Sequence, residues 1–288
     1  MKKILVTGAN GLLGRNICNN LVKENWEVHA VVKSEPPIKL DSINYVYADL
    51  SKDIAFDNFP INISCVLHLA QSNRYKDFPD GATDVFKVNV SSTHQLLEYA
   101  RKNNVSHFIY ASSGGVYSPS IDTLNEKSPI LEQCKLGLYL GSKISGEILV
   151  QTYSAILQTS IIRPFFIYGS GQKRNMLLPR LYDNISNNTP IVLDNENGIS
   201  INPIHVDDAA KSVIALLNET NSSIYNLAGP ENLSLRQISE YIGEFTGQDP
   251  IFQNSGGGTS DIIADISLMK QNLHSPIFSL SENIHDLV

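Results

Sequence analysis

Through the first half of the chain, short apolar runs rich in β-branched residues alternate with longer amphipathic stretches. Ile4–Thr7, Val28–Val32, Tyr45–Ala48, Cys65–Ala70, Phe108–Ala111 and Ser160–Arg163 are the strand candidates. They read as continuous apolar runs, not as an alternation of apolar and polar positions, which predicts strands buried on both faces. Helix-length segments lie between them at Leu12–Glu24, Val85–Lys102 and Leu138–Gln158. A βαβαβ order with helical crossovers predicts an α/β fold, a doubly wound parallel sheet covered by helices on both sides.

Past about Ile167 the pattern changes. A helical stretch covers Met176–Asn187 and a polar loop follows at Asp194–Ser200. Ile204-His205-Val206-Asp207-Asp208 leads into a helix ending near Asn218, and Tyr225-Asn226-Leu227 is expected to return to the sheet. Ser234–Phe245 is a helix opened by a capping Ser, and Gly256-Gly257-Gly258 is a loop. No repeat and no linker separates the halves, so the second half is expected to form a smaller unit interleaved with the first.

Composition narrows the class. The 288 residues are 42% hydrophobic and 18% charged, too apolar for a disordered chain. A net charge of −7 argues against a nucleic-acid partner held on a broad basic face. No run approaches the roughly 18 apolar residues of a membrane span. Lys2-Lys3 is followed by only Ile4-Leu5-Val6 before Thr7-Gly8, too short for a secretory signal. Cys18, Cys65 and Cys134 have no metal spacing and cannot all pair, so a reducing cytoplasm is expected.

Two constellations carry chemistry. Gly8-Ala9-Asn10-Gly11-Leu12-Leu13-Gly14 joins the first strand to the first helix. Glycines there permit a tight turn and close approach of backbone to a pyrophosphate, whose charge is stabilised at the helix N-terminus. Such a trio also occurs in purely structural turns, but the first βα turn is the context dinucleotide binding requires. The second strand ends Val31-Val32-Lys33-Ser34-Glu35. A basic Lys33 there favours the extra phosphate of NADP, whereas an acidic residue would favour NAD. NADP is the preferred expectation, with NAD open because Glu35 can fold back to the ribose and Lys33 can be a solvated charge.

The second constellation is Tyr139-Leu140-Gly141-Ser142-Lys143. Four residues apart on a helix, a phenol and an ammonium share one face. The cation is expected to depress the tyrosine toward the range of a working acid/base. The hydroxyl-rich Ala111-Ser112-Ser113-Gly114-Gly115-Val116-Tyr117 lies at the carboxyl end of the fifth strand, where such sheets bind ligands.

Taken together, these residues resemble the extended short-chain dehydrogenase/reductase family, which includes nucleotide-sugar epimerases, dehydratases and reductases. The resemblance rests on the G-x-x-G-x-x-G loop after Thr7, the Tyr139/Lys143 pair, Asp49-Leu50, His68-Leu69-Ala70, Asn89, Arg163-Pro164-Phe165-Phe166-Ile167-Tyr168-Gly169 and Ile204–Asp208. It implies a Rossmann-type domain over residues 1–168, with segments near 201–228 returning to it, and a mainly substrate-binding domain over 169–288. It implies Ser113, Tyr139 and Lys143 as catalytic residues, with Ser112 the weaker alternative to Ser113. The implied cofactor contacts are Gly8, Asn10, Gly11, Leu12, Leu13, Gly14, Lys33, Asp49, Leu50, Leu69, Ala70, Gln71, Lys143, Pro164 and Phe165. A homodimer through the Val85–Lys102 and Leu138–Gln158 helices is also implied.

Several activities are disfavoured within that family. Sugar 4,6-dehydratases carry Asp-Glu directly after the catalytic Ser/Thr, where this chain has Gly114 and Gly115. Relatives resembling GDP-fucose synthase need a Cys and a His where Gly115 and Gly171 stand. Phe166 replaces an Asn, and Ile201 an Arg, common in sugar-nucleotide epimerases; Lys173, Arg174 or Arg180 can supply the missing charge. The expected activity is an NAD(P)-dependent epimerase or ketoreductase acting on a nucleotide-activated sugar. Reduction of a non-sugar carbonyl is the alternative. A non-catalytic NADPH sensor is a third, against which the intact Ser113, Tyr139 and Lys143 speak.

His68, His107 and His205 border apolar strands and are expected to be hydrogen-bonded structural histidines. No metal site is expected, because no H-x-x-x-H or C-x-x-C spacing exists. The absence of a G-x-S-x-G elbow removes the serine-hydrolase reading. Asp207-Asp208 reads as helix-start charge, not as a catalytic dyad.

Overall fold

A computed structural model describes residues 2–36, 39–258 and 260–288. The first strands and helices are β1 (Lys3–Thr7), α1 (Leu12–Lys23), β2 (Glu27–Val32), β3 (Ile43–Tyr47) and β4 (Cys65–His68). α2 (Ala82–Phe86), α3 (Ser92–Lys102), β5 (His107–Ala111), α4 (Gly137–Tyr153) and β6 (Gln158–Pro164) follow. The sheet runs Ser223–Leu227, β6, β5, β4, β1, β2, β3. Every registered pair in it is parallel, with Ile4 opposite both Val28 and Cys65, and Ile109 opposite Leu67 and Ser160. The reversal of direction across β1 and β4 is the doubly wound arrangement expected. β4 and β5 are buried at every position, as their continuous apolar runs require.

The chain divides into two compact units, and the division falls differently from the simple boundary near 168. One comprises residues 1–116, 130–163 and 213–225; the other comprises 117–129, 164–212 and 226–288. In the first unit Leu5, Val66 and Phe108 from the sheet pack with Leu96, Leu97 and Val150 from α3 and α4. A buried two-point ion pair adds to this unit: Arg163 on β6 donates to Glu147 on α4 at 2.9 and 2.7 Å. In the second unit α5 (Leu177–Ser186) and α7 (Leu235–Thr246) place Leu178, Leu181, Ile238 and Ile242 in a separate core. α6 (Val206–Ala215) runs from one unit into the other.

Two helices depart from the expected lengths. Instead of one helix over Val85–Lys102, a π-helical turn at Lys87–Ser91 joins α2 to α3. It holds Asn89, whose side chain accepts from the Ser72 amide at 2.9 Å and donates to Ser142 Oγ at 2.8 Å. α4 stops at Tyr153 because Ile156 and Leu157 turn back onto the Tyr153 carbonyl, which frees Gln158 to begin β6. Ser234 does cap α7: its hydroxyl accepts from the Gln237 amide, and the Gln237 side chain accepts from the Ser234 amide.

Among the described residues no helix is long and apolar enough to cross a membrane.

Candidate active site

The turn after β1 is shaped by backbone sterics. Gly8 has φ +69°, and a Cβ there would lie 2.8 Å from the Ala70 amide nitrogen. A Cβ on Gly14 would collide with the Gly8 carbonyl, and one on Gly11 would come within 3.1 Å of it. Gly11 is the N-cap of α1, offers no side chain to the helix amides, and no acidic residue occupies the first turn. The free N–H groups at Leu12, Leu13 and Gly14 and the positive end of the helix therefore face outward for an anion. This cradle fits a pyrophosphate, and Asn10 and Gly11 are exposed on it.

At the end of β4, Thr7 and His68 tie the cradle to the sheet. Thr93 gives its hydroxyl proton to the Asn89 carbonyl at 2.8 Å, so His68 Nε2–H donates to Thr93 at 2.9 Å. His68 Nδ1 then accepts from Thr7 at 2.6 Å, while Thr7 accepts from the Ala70 amide at 3.2 Å. Burial, with Lys143 nearby, pushes His68 down to about 3, so it is a neutral structural imidazole. Leu69 and Ala70 are half-buried beside it, and Gln71 is exposed.

On the outer strands, Lys33 does not stand alone. Its ammonium lies 3.2 Å from Asp49 Oδ2 although its side chain is 68% exposed. Asp49 also accepts from the Ser51 hydroxyl and amide at 2.7 and 3.0 Å; those bonds, with Lys33, hold it down at about 2. Leu50 is buried in the first unit's core. In the other unit, Pro164 ends β6, and the buried Phe165 donates its amide to the Leu227 carbonyl at 2.8 Å.

The three catalytic candidates come together within the first unit. Ser113 follows β5 and is half-buried, and its Oγ accepts from the Gly115 amide at 3.2 Å. Ser112 is turned inward, with a buried Oγ that has no hydrogen-bond partner among the described atoms. Lys143 is 1% exposed and donates to the Ala111 carbonyl at 2.9 Å; its Nζ sits 5.6 Å from the Tyr110 ring centre and 6.0 Å from that of Tyr139. Gly146 lets Tyr110 reach this position, since a Cβ there would collide with the Tyr110 hydroxyl. Burial lowers Lys143 to about 8, with Glu147 opposing.

The tyrosine differs from expectation. Burial raises the Tyr139 phenol above its ordinary value; a hydrogen bond with Ser113 opposes the rise and Tyr75 adds to it. The ammonium lies over the ring, 6.0 Å from its centre, and contributes nothing to the phenol's shift, so the expected depression by Lys143 is absent. Tyr139 instead donates to Gln71 Oε1 at 3.1 Å and packs its ring against Tyr75 at 4.9 Å. Sequence reading missed Tyr75 and Glu147, and it read Asp208 only as helix-start charge. Glu147 lies one turn beyond Lys143 on an otherwise apolar helix, which was a usable signal. Tyr75 had none, because it sits in an irregular loop. Asp208 is fully buried and accepts from His274 Nε2 and from the Ile277 and Phe278 amides at 2.8 to 2.9 Å, a structural anchor inside the second unit.

Glycine-cradled helix, doubly wound sheet and a Ser/Tyr/Lys cluster at the end of β5 define a dinucleotide-dependent α/β enzyme class. The family model described as the NAD dependent epimerase/dehydratase family matches residues 4–228, and the chain belongs to that family. It is 26% identical over 306 residues to the UDP-glucuronate 4-epimerase of Thermodesulfobacterium geofontis, covering 97% of this chain and 93% of that one. Its fold matches the UDP-glucuronic acid 4-epimerase of Bacillus cereus in complex with UDP-glucuronic acid and NAD, with a TM-score of 0.85 at 23% identity over 99% and 97% of the two chains. The UDP-glucose 4-epimerase of Thermotoga maritima with UDP-glucose gives the same TM-score at 18% identity, covering 99% and 97%. The preference for NADP finds no support in these neighbours.

Proposed function

We propose that this protein is an NAD-dependent epimerase acting on a UDP-activated sugar. The observation that carries the reading is the convergence of Ser113, Tyr139 and Lys143 at the carboxyl end of β5 in a member of this family. The glycine cradle and the α1 N-terminus would hold the pyrophosphate, with Asp49, Leu50, Leu69, Ala70, Gln71, Pro164 and Phe165 as further contacts. Lys143 would hold the nicotinamide ribose. Bound NAD supplies a reversible hydride acceptor for the sugar carbon.

Each side chain has a definite task. Tyr139 takes the proton from the reacting sugar hydroxyl and later returns it. Ser113 donates a hydrogen bond to the same oxygen. Lys143, buried and cationic at neutral pH, favours the phenolate once its ribose contact is made. Gly115 leaves no side chain for the proton transfers of a dehydratase; a Cβ there would approach Leu140 to 3.2 Å. The choice of NAD over NADP rests on the engagement of Lys33 with Asp49 and on the NAD named with the solved relative.

One observation favours a second reading, reduction of a carbonyl on a substrate without a diphosphate. Ile201 is fully buried, and Arg174 is bound by Asp183 and the Leu287 carbonyl, so neither offers an unengaged cation. The experiment that separates them is incubation of the purified protein with UDP-glucose or UDP-glucuronic acid and NAD, read by NMR of the sugar anomeric protons. Epimer formation without net NADH supports the first; NADH-dependent reduction of a ketone, with no epimer, supports the second.

A homodimer through α3 and α4 accompanies this reading. Ile148 on α4 and Phe86 on α2 are apolar and 59% and 58% exposed, which supports a partner on this face. Light scattering at twice the monomer mass is the expected result.

A further inference from the structure

The loop between β4 and α2 carries two side chains that no family motif assigns to Tyr139. It is a built segment. The Ser72 amide donates to Asn89, the Ser72 hydroxyl donates to Asp84, and the Arg74 amide donates back to Ser72 Oγ at 3.0 Å. Gly81 closes it by donating its amide N–H to the Asp77 carbonyl, and a Cβ at that glycine would collide with the Arg74 carbonyl. Asn89 in turn holds Ser142, which donates to the Tyr139 carbonyl at 2.6 Å. The loop is thus linked through two side chains to the helix that carries the tyrosine.

From this frame Gln71 and Tyr75 reach the phenol. We propose that Gln71 and Tyr75 are positioning residues that keep the proton on Tyr139 while no substrate is bound: the Gln71 carbonyl accepts the hydroxyl and the Tyr75 ring packs beside it, and when a substrate oxygen takes the place of Gln71 the phenol's proton passes to solvent, leaving Tyr139 able to take the proton of the sugar hydroxyl. The inference rests on the catalytic role given to Tyr139 above. Its physics is an opposition of two hydrogen bonds. Ser113 favours the phenolate, whereas an acceptor such as the Gln71 carbonyl stabilises the protonated phenol. A tyrosine between them holds its proton less tightly when the Gln71 acceptor is displaced. A carbohydrate hydroxyl or the ketone derived from it is the chemical group that would compete with Gln71, being a neutral oxygen acceptor like the Gln71 carbonyl.

Other ionisable groups near the phenol are few. Among the described residues they are Tyr75 from the loop with Lys76 over its ring, Tyr110 from β5, Lys143 from the same helix and, one turn further, Glu147. Asp84 from α2 is engaged by Ser72, and His68 behind Lys143 is neutral. None of these offers an acceptor to the Tyr139 hydroxyl, so Gln71 is the group whose replacement should move its proton.

The experiment follows the Tyr139 ring carbon by 13C NMR in protein labelled at tyrosine Cζ, assigned by its loss in Tyr139→Phe, and titrated with NAD present and no sugar. Gln71→Leu removes the acceptor and should move the phenol's titration to lower pH. Gln71→Glu supplies a stronger, anionic acceptor and should move it to higher pH. Tyr75→Ala removes both the ring and its ionisable hydroxyl and should also lower it, with Tyr75→Phe, which removes the hydroxyl alone, lowering it less. The pH profile of kcat/KM should shift in the same directions. Opposite shifts for the two Gln71 variants establish the inference; no shift, or shifts of the same sign, overturns it. The NMR titration needs no turnover, so a protein that shows the opposite shifts yet epimerises no UDP-sugar loses the functional reading and keeps this one.

Discussion

The two lysines singled out near the cofactor region meet opposite fates. Lys143 is enclosed: its ammonium is 1% exposed, bonded to a strand carbonyl, and fixed between two aromatic rings. Lys33 stands at the rim with a side chain 68% exposed, and it meets the Asp49 carboxylate, which Ser51 already holds. A position is dictated by sequence pattern when packing leaves it one geometry. Where the side chain is free, its partner is whichever charge comes nearest, and spacing along the chain does not reveal it. The difference separates what is built into the floor of the site from what is adjustable at its edge.

The largest effect is expected at the floor. Tyr139→Phe removes the only proton the phenol can exchange and keeps its ring against Tyr75. Activity on the preferred UDP-sugar should fall by about 100-fold to 10,000-fold. Affinity for NAD, measured by isothermal titration, should stay near the parent value. A variant retaining full turnover would remove the floor from the chemistry altogether.

Next is the support beneath Lys143. Arg163 and Glu147 are each about 3% exposed and bonded at two points. Glu147→Ala removes both carboxylate bonds from a buried guanidinium, a loss of about 3–5 kcal/mol. It also removes the carboxylate that opposes the lowering of Lys143. Urea unfolding should show the loss, and the joint replacement Glu147→Met with Arg163→Met should recover most of it. A single variant as stable as the parent would mean that the floor is held by apolar packing alone.

These outcomes bear on how much was readable beforehand. The sheet order, the glycine cradle and the Ser113/Tyr139/Lys143 grouping were legible because each depends on a repeating or steric rule. Buried strands need continuous apolar runs, Gly8 needs a left-handed turn, and residues four apart share a helix face. The boundary of the units was not, since residues 117–129 join the second unit through contacts made far along the chain, such as Tyr117 with Asn226 and Leu124 with Ala264. Nor was the state of the tyrosine. Its raised phenol follows from burial and from Tyr75, and its hydroxyl is taken by Gln71; both residues come from an irregular loop that spacing along the chain does not reveal. The π-helical turn escaped for a related reason: it answers to Asn89 reaching Ser72 and Ser142, not to periodicity.

Acid should weaken the floor before it touches the rim. His68 is held neutral down to about 3, whereas in the unfolded chain it takes a proton near 6.5. Between those values the unfolded state binds one more proton than the folded one, so stability rises with pH and is lost as pH falls from about 6.5 toward 3. His107, lowered to about 4 by burial, acts in the same direction. Urea midpoints measured from pH 7 to pH 4.5 should fall with a slope of up to about 1.4 kcal/mol per pH unit for each such histidine. His68→Asn should start lower and flatten the slope. Asp49 at the rim, held at about 2, stays ionised throughout that range.

The smallest effect is expected at Lys33, and it decides what the rim is for. If the Lys33–Asp49 pair is an exposed ion pair and no more, Lys33→Ala should change stability by less than about 1 kcal/mol. NAD affinity should then move by less than about fivefold, since the cradle and the α1 N-terminus bind the pyrophosphate without it. Its removal should leave the ratio of NAD to NADP affinity nearly unchanged, because an ammonium already neutralised by Asp49 contributes little to a ribose phosphate. The alternative has a distinct outcome. Were Lys33 to leave Asp49 and bind that phosphate, the parent would favour NADP and the variant would lose NADP affinity selectively. Asp49→Asn discriminates further: freeing the ammonium of its partner should raise NADP affinity in the parent background and do nothing once Lys33 is alanine. Titrations of both dinucleotides against the parent, the two single variants and the double variant therefore measure whether the rim is set by the pair itself or by the cofactor.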